Sequence, residues 1–95
     1  MDALIHEYAR HVRDADGHLY KVRVLGRQRS DKTWIGWLEF SPRGSGGIVR
    51  RTRRETTQPS RGALRYWASG LQATYLEGAL VRALAAATEE RTGRR

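Results

Sequence analysis

The hydrophobic pattern of this chain changes at Pro59 and Ser60. Before that point, apolar residues alternate with polar ones in short runs, as in β-strands; after it, they recur every three or four residues, as in amphipathic helices. Strands that all precede the helices do not give the strand–helix alternation of a parallel sheet. The order therefore predicts an α+β fold, with a four-stranded antiparallel meander followed by a short helix and a longer C-terminal helix packed on one face.

The second predicted strand has the clearest alternation. Tyr20, Val22 and Val24 alternate with Lys21 and Arg23, so one face of the strand is apolar and the other is basic. We expect the apolar face to contact the core and the basic face to meet solvent or a ligand.

The third predicted strand, about residues 33–40, is apolar on both faces. Leu38 and Phe40 share one face, whereas Trp37 and Glu39 share the other. Two arrangements fit this pattern. Either the strand is central and covered on both sides, or Trp37 is exposed on the outer face beside the cations of the second strand, where its ring could stack on a base.

The fourth predicted strand, about residues 48–56, carries Arg50, Arg51, Arg53 and Arg54 on both of its faces. An interior strand would bury some of these charges without partners, so we expect an edge strand. The arginines either follow a phosphate backbone or form a solvated edge that keeps the protein soluble.

A polar hinge, residues 55–60, joins the strands to the helices. Its side chains could hold a polar ligand at the start of a helix, where free N–H groups favour anions. The favoured alternative is structural: the hinge satisfies the strand end and supplies Ser60 as the N-cap of the first helix, which ends at Gly70.

The second predicted helix begins with Thr74 and Glu77 at the spacing of a capping box. Its apolar stripe is narrow and consists of Leu76, Leu80 and Leu84 with Ala79, Ala83 and Ala87 beside them. Such a stripe suits close packing on a sheet or on another helix.

The length of 95 residues fits one small domain with a modest core. We predict a single domain over residues 1–95, with strands at about 5–56, helices at about 60–88 and a flexible tail at 89–95. A chain this small could gain buried surface by forming a homo-oligomer.

The net charge of +8 is concentrated in the second half of the chain. Residues 1–49 hold eight Lys and Arg against six Asp and Glu, whereas residues 50–95 hold ten against four. Sixteen of the 18 cations are Arg, whose planar fork suits phosphate better than Lys does. This composition favours a polyanionic partner.

Several classes of protein do not fit the sequence. There is no cysteine for a disulfide or a thiolate metal site, and neither a signal peptide nor a membrane-spanning apolar run is predicted. We therefore expect a cytoplasmic protein without a membrane partner.

No catalytic or metal-binding motif is predicted either. His6, His11 and His18 lack the spacing of a shared metal site, and residues 14–17 have the pattern of a hairpin turn rather than of a calcium loop. Glu39, Glu55 and Glu77 are dispersed in sequence. We expect a protein that is not an enzyme and has no cofactor.

Three segments resemble a group of small uncharacterised bacterial proteins. They are G-W-L-E-F at residues 36–40, R-E-T-T-Q-P at residues 54–59 and Y-L-E-G-A at residues 75–79. The resemblance implies a strand-rich half followed by a helical half, and it brings no established function with it. The layout alone is also similar to that of Whirly proteins, which bind single-stranded DNA across sheets.

The sequence favours a non-enzymatic nucleic-acid-binding module that acts through an arginine-rich surface with limited sequence specificity. The expected contact residues are Arg50, Arg51, Arg53, Arg54, Arg61 and Arg65, with Lys21, Arg23 and Trp37 on the sheet. The alternative is a protein-interaction or regulatory subunit that oligomerises or docks through its C-terminal helix.

Overall fold

The computed structural model describes the backbone of residues 1–44 and 47–93, and the side chains of these residues through Ala86. Five strands precede two helices. Their bounds are β1 Ala3–Arg13, β2 Leu19–Gln28, β3 Trp34–Pro42, β4 Arg50–Arg51, β5 Thr56–Gln58, α1 Arg61–Ser69 and α2 Ala73–Gly93.

The strands form one antiparallel sheet in the order β1-β2-β3-β4, and β5 also pairs with β3. The pairing of β2 with β3 is unbroken from Tyr20 opposite Pro42 to Gln28 opposite Trp34, whereas β1 pairs with β2 through two register shifts. The predicted α+β fold, a four-stranded meander followed by two helices, is confirmed, and a fifth short strand is added to it.

The predicted fourth strand is wrong in one respect, because it is divided into β4 and β5. Thr52 causes the break: its N–H donates to the carbonyl oxygen of Leu38, and its Oγ1 accepts the N–H of Leu38, both at 3.0 Å. The N–H of Glu55 then donates to Gly36 O at 2.8 Å. Residues 53–55 consequently form a bulge opposite Trp37. The segment that contains β4 and β5 lies at the edge of the sheet, as predicted.

The core lies between the inner face of the sheet and the two helices. Its fully buried large side chains are Val22, Val24, Leu38, Phe40, Leu64, Leu76 and Leu80. Leu84 is partly buried against the same core, and the side chain of Ala87 lies outside the described residues. The stripe of α2 therefore packs on the chain's own sheet.

Helix α1 approaches the sheet closely at Leu64. A Cβ built on Gly26 would lie 2.6 Å from Cδ2 of Leu64, 3.0 Å from Cγ1 of Ile5 and 3.1 Å from the carbonyl oxygen of Ile35. A Cβ on Gly36 would lie 2.6 Å from Cδ1 of the same leucine. The side chain of Leu64 thus fills a depression in the sheet that exists only because Gly26 and Gly36 have no side chain. We call this depression the Leu64 seat.

The helix boundaries confirm the predicted limits of α1 and correct the predicted start of α2. Ser60 is the N-cap as expected, since its Oγ accepts the N–H of Ala63 at 3.0 Å, and α1 ends at Gly70 as expected, with φ of −92°. The capping box at Thr74 is wrong. The helix already begins at Ala73, and the carbonyl of Gln72 accepts the first helical hydrogen bond.

Helix α2 continues to Gly93, past the predicted end near residue 88. Glu and Arg are favourable helix formers, which explains why a charged sequence extends the helix. The flexibility predicted for residues 89–95 stays a prediction. Neither described helix combines the length and apolar character needed to cross a bilayer.

Replacing Gly26 by Ala should destabilise the fold by about 1–3 kcal/mol, because the methyl group overpacks the Leu64 seat against a backbone carbonyl. Urea denaturation measures the free energy of unfolding. Gly62→Ala is the matched control: a Cβ there meets only Ser60 Oγ at 3.9 Å, so a gain of about 0.4–1 kcal/mol is expected. Equal stability of the two variants would contradict the tight seat.

Stability should also fall at alkaline pH because of Tyr8. Its hydroxyl donates to the carbonyl oxygen of Ala68 at 2.6 Å, and burial, with a smaller effect of Tyr75, raises its pKa to about 12. A raised folded-state pKa contributes stability that is present below the unfolded pKa of about 10 and is lost as the pH rises towards 12.

Denaturation at a series of pH values should therefore show a decline above pH ~10 that is smaller in Tyr8→Phe. Tyr66→Phe, on an exposed ring of α1, is the control and should keep the decline of the parent protein. A decline identical in the parent and in Tyr8→Phe would contradict the assignment.

Candidate nucleic-acid interface

The sheet has a second face, opposite the helices, which we call the outer face. Alternation along the paired strands assigns its members. They are Leu4, Glu7 and His11 of β1, Lys21, Arg23, Leu25 and Arg27 of β2, Ile35, Trp37, Glu39 and Ser41 of β3, Arg51 of β4 and Thr57 of β5. Four cations and two aromatic or branched side chains of β3 are thus brought to one surface.

A buried carboxylate organises two of these cations. Glu39 is only 2% exposed, and its direct cross-strand neighbours are Arg23 on β2 and Arg51 on β4. Nε of Arg23 donates to Oε1 at 2.6 Å; Nε and Nη2 of Arg51 donate to Oε2 at 3.0 and 2.9 Å. We call this the Arg23–Glu39–Arg51 cluster.

The two guanidinium groups of the cluster remain accessible. The side chains of Arg23 and Arg51 are 42% and 56% exposed. Glu39 holds both arginines through its two oxygens, while a large part of each arginine side chain stays accessible to solvent. The cluster therefore presents two ordered, partly exposed arginine side chains on the outer face.

Trp37 lies on the outer face but is only 8% exposed. The guanidinium carbon of Arg27 sits 5.4 Å from the centroid of its ring, and Arg27 is in turn fixed by Asp2, whose Oδ1 accepts from Nη2 at 2.8 Å and from Nε at 3.0 Å. These hydrogen bonds lower the pKa of Asp2. The arrangement in which Trp37 is exposed is therefore wrong; β3 is a central strand, as in the other arrangement, and Arg27 lies over the ring on the outer face. A base could stack on it only after Arg27 moved.

The other predicted arginines do not join this surface. Arg50 is paired with Phe40, which places it towards the inner side of the sheet. Arg53 and Arg54 are exposed in the bulge between β4 and β5. Of the nine predicted contact residues, the structure places Lys21, Arg23, Trp37 and Arg51 on the outer face and disperses the rest.

The two predicted arginines of α1 also lie elsewhere. Arg61 stacks over Trp34, with its guanidinium carbon 5.5 Å from the ring centroid, and its Nη2 reaches the carbonyl oxygen of Leu4 at 3.5 Å. Arg65 is exposed one turn further along the helix. Arg61 thereby fastens the start of α1 to the sheet.

Sequence reasoning missed Arg27 and the role of Glu39. Arg27 continues the alternation of Lys21 and Arg23, but it also begins a polar run, residues 27–32, whose composition predicts a turn, whereas β2 extends to Gln28. The face of Glu39 was predicted correctly. Its two partners, Arg23 and Arg51, could not be predicted, because they depend on the register between strands.

The polar hinge has the structural role that was favoured. Glu55 accepts hydrogen bonds from the hydroxyl of Tyr75 and from Nη2 of Arg82, both at 2.5 Å, and Nε2 of Gln58 donates to Oγ1 of Thr56 at 2.7 Å. Burial, and then the hydrogen bond to Glu55, raises the pKa of Tyr75 to about 12. The hinge thus ties the bulge to α2.

The turn between β1 and β2 is the predicted hairpin. Oδ1 of Asp14 accepts the N–H groups of Asp16 and His18 at 3.0 and 2.9 Å, and Gly17 adopts φ of +87°. Asp14, Asp16 and His18 place potential ligand atoms within 4.8 Å of one another. Because Asp14 already accepts backbone hydrogen bonds, its carboxylate organises the turn.

Comparison with known proteins returned no matching family, no curated relative and no similar solved structure. The resemblance to a group of small bacterial proteins stays a prediction.

Replacing Glu39 by Gln should destabilise the protein by about 1–3 kcal/mol, because charge-assisted hydrogen bonds to two arginines are weakened while the arginines stay partly solvated. Thermal or urea denaturation measures the loss. Glu7→Gln removes an exposed carboxylate from the same face and should change stability by less than about 0.5 kcal/mol. Equal effects of the two changes would show that the cluster does not stabilise the fold.

Proposed function

We propose that this protein is a non-enzymatic nucleic-acid-binding module whose contact surface is the outer face of the sheet. The observation that carries the proposal is the Arg23–Glu39–Arg51 cluster, in which a buried carboxylate orders two exposed guanidinium groups. Lys21 lies on the same strand and the same face as Arg23. The cluster and Lys21 together would contact phosphates of a bound strand.

Order within the cluster favours phosphate binding. A free arginine side chain loses about 0.5–1.5 kcal/mol of conformational freedom when a ligand immobilises it. Glu39 has already restricted Arg23 and Arg51, so less of this cost remains when an anion binds. The planar forks then meet phosphate oxygens with two parallel hydrogen bonds each.

The surroundings of the cluster favour limited sequence readout. Contacts from arginine and lysine to phosphate position a strand without reading its bases. Trp37 is covered by Arg27, so base stacking requires Arg27 to leave the ring. Leu4 and Ile35 offer apolar surface beside it, which would accept any base.

The burial of the stripe on α2 bears on the alternative function. Leu76 and Leu80 are in contact with the core formed by the chain's own sheet, so docking of α2 on another protein would have to use a different side of the helix. The open, cationic outer face therefore gives better support to a nucleic-acid partner than the helix gives to a protein partner.

The test is a titration with single- and double-stranded oligonucleotides of mixed sequence at two salt concentrations. Lys21→Gln with Arg51→Gln should weaken binding to single strands and reduce the slope of log K against log salt by about 1.4, since each lost phosphate contact contributes about 0.7. Arg23 stays paired with Glu39 in this variant, so the carboxylate keeps a partner.

Arg29→Gln with Lys32→Gln is the matched control. It removes one arginine and one lysine from the exposed turn after β2, and the salt slope should stay at the parent value. Absence of binding at low salt would refute the proposed function. Equal weakening by both pairs would show that net charge, rather than the outer face, determines binding.

A further inference from the structure

A cleft of about 400 Å³ lies where β2 begins and β3 ends. The N–H of Arg43 donates to the carbonyl oxygen of Leu19 at 2.9 Å and holds these two strand ends together. The described residues that line the cleft are His18, Leu19, Tyr20, Pro42, Arg43, Gly47, Ile48 and Arg50. Arg50, one of its charged lining residues, lies towards the inner side of the sheet and not on the outer face.

The charge of this cleft is positive. Arg43 and Arg50 line it, and its described lining includes no carboxylate. The neighbouring acid, Asp14, is engaged in the hairpin: Oδ2 accepts the hydroxyl of Tyr20 at 3.3 Å and lies 3.2 Å from Nδ1 of His18. Burial and Asp14 raise the pKa of Tyr20, while Arg50, which lines the same cleft, lowers it.

The remaining wall of the cleft is apolar. Ile48 is 63% exposed and stands beside Pro42 and Leu19 along the same opening. A large aliphatic side chain that is left in water next to two guanidinium groups favours a ligand with an anionic group and an apolar, flat body. The volume lies within the range of about 300–1,000 Å³ that small-molecule sites occupy.

We propose that this cleft binds one nucleotide, with its phosphate between Arg43 and Arg50 and its base against Pro42 and Ile48. The choice of a nucleotide over another phosphorylated compound rests on the proposed nucleic-acid function. The same chemistry has two sources: a free mononucleotide, or the 5′-phosphorylated end of a strand that also contacts the outer face. Arg50, which does not lie on the outer face, would contact the phosphate of the nucleotide in this cleft.

The first experiment is a titration of the full chain with adenosine monophosphate, followed by calorimetry or by ligand-observed NMR. Arg43→Gln with Arg50→Gln should weaken binding by about tenfold or more, since two charge-assisted phosphate contacts are lost. The control pair Arg29→Gln and Lys32→Gln removes the same net charge at the far end of β2 and should bind as the parent does. Circular dichroism confirms that both variants are folded.

The second experiment identifies the source of the nucleotide. A 5′-phosphorylated oligonucleotide should bind more tightly than the same strand with a 5′-hydroxyl, and Arg43→Gln with Arg50→Gln should abolish the difference, if the cleft takes a strand end. Equal binding of the two strands, with adenosine monophosphate still bound, assigns the cleft to a free nucleotide.

Failure of this inference and failure of the proposed function are distinguishable. No binding of adenosine monophosphate at millimolar concentration, or equal weakening by the cleft and control variants, would overturn the nucleotide cleft whatever the oligonucleotides do. Binding of the mononucleotide without any binding of oligonucleotides would refute the outer-face function and leave the cleft in place.

Discussion

The fold depends on the seat of Leu64 between Gly26 and Gly36. These glycines are direct neighbours on β2 and β3, so the sheet has a shallow depression at the point where α1 crosses it. Leu64 fills the depression and brings the helix closer than any side chain on the strands would allow. Because the hinge and the start of α2 adjoin the two ends of α1, fixing α1 at this point also restricts their positions. Both helices are then committed to one face, and the other face is left without them.

Trp37 and Glu39 are buried on the outer face although neither described helix packs there; arginine side chains cover them instead. Arg27 covers the indole, and Arg23 with Arg51 covers the carboxylate. The aliphatic stems of arginine bury apolar surface while their charged ends stay in water. The same side chains therefore complete the fold and supply the positive surface, which links the stability of the sheet to any ligand that competes for these guanidinium groups.

The parts of the structure that follow from local pattern were predictable, and those that follow from register were not. The alternation of Tyr20 to Val24 and the stripe of Leu76 and Leu80 correctly predicted their buried faces. The break at Thr52 was not predictable, because it arises when a side-chain hydroxyl takes over a hydrogen bond from Leu38 on another strand. The pairing of Glu39 with Arg23 and Arg51, and the position of Arg27 over Trp37, also depend on contacts between strands and could not be predicted from local pattern. The opposite faces of Arg50 and Arg51 were predicted from alternation along the strand, and their pairing with Phe40 and Glu39 confirms them.

Pairing within the cluster determines what kind of binding the outer face can support. Glu39 offsets one of the two positive charges of Arg23 and Arg51, and Asp2 offsets that of Arg27, so the face has a smaller net charge than its number of arginines suggests. Long-range attraction must then come from the +8 of the whole chain, which is screened within about 8–10 Å at physiological salt. At contact, however, orientation counts for more than net charge, because a fixed fork can replace the water around a phosphate oxygen with two directed hydrogen bonds. Under the proposed function, such a surface would favour short-range, backbone-directed contact with a polyanion over strong non-specific attraction.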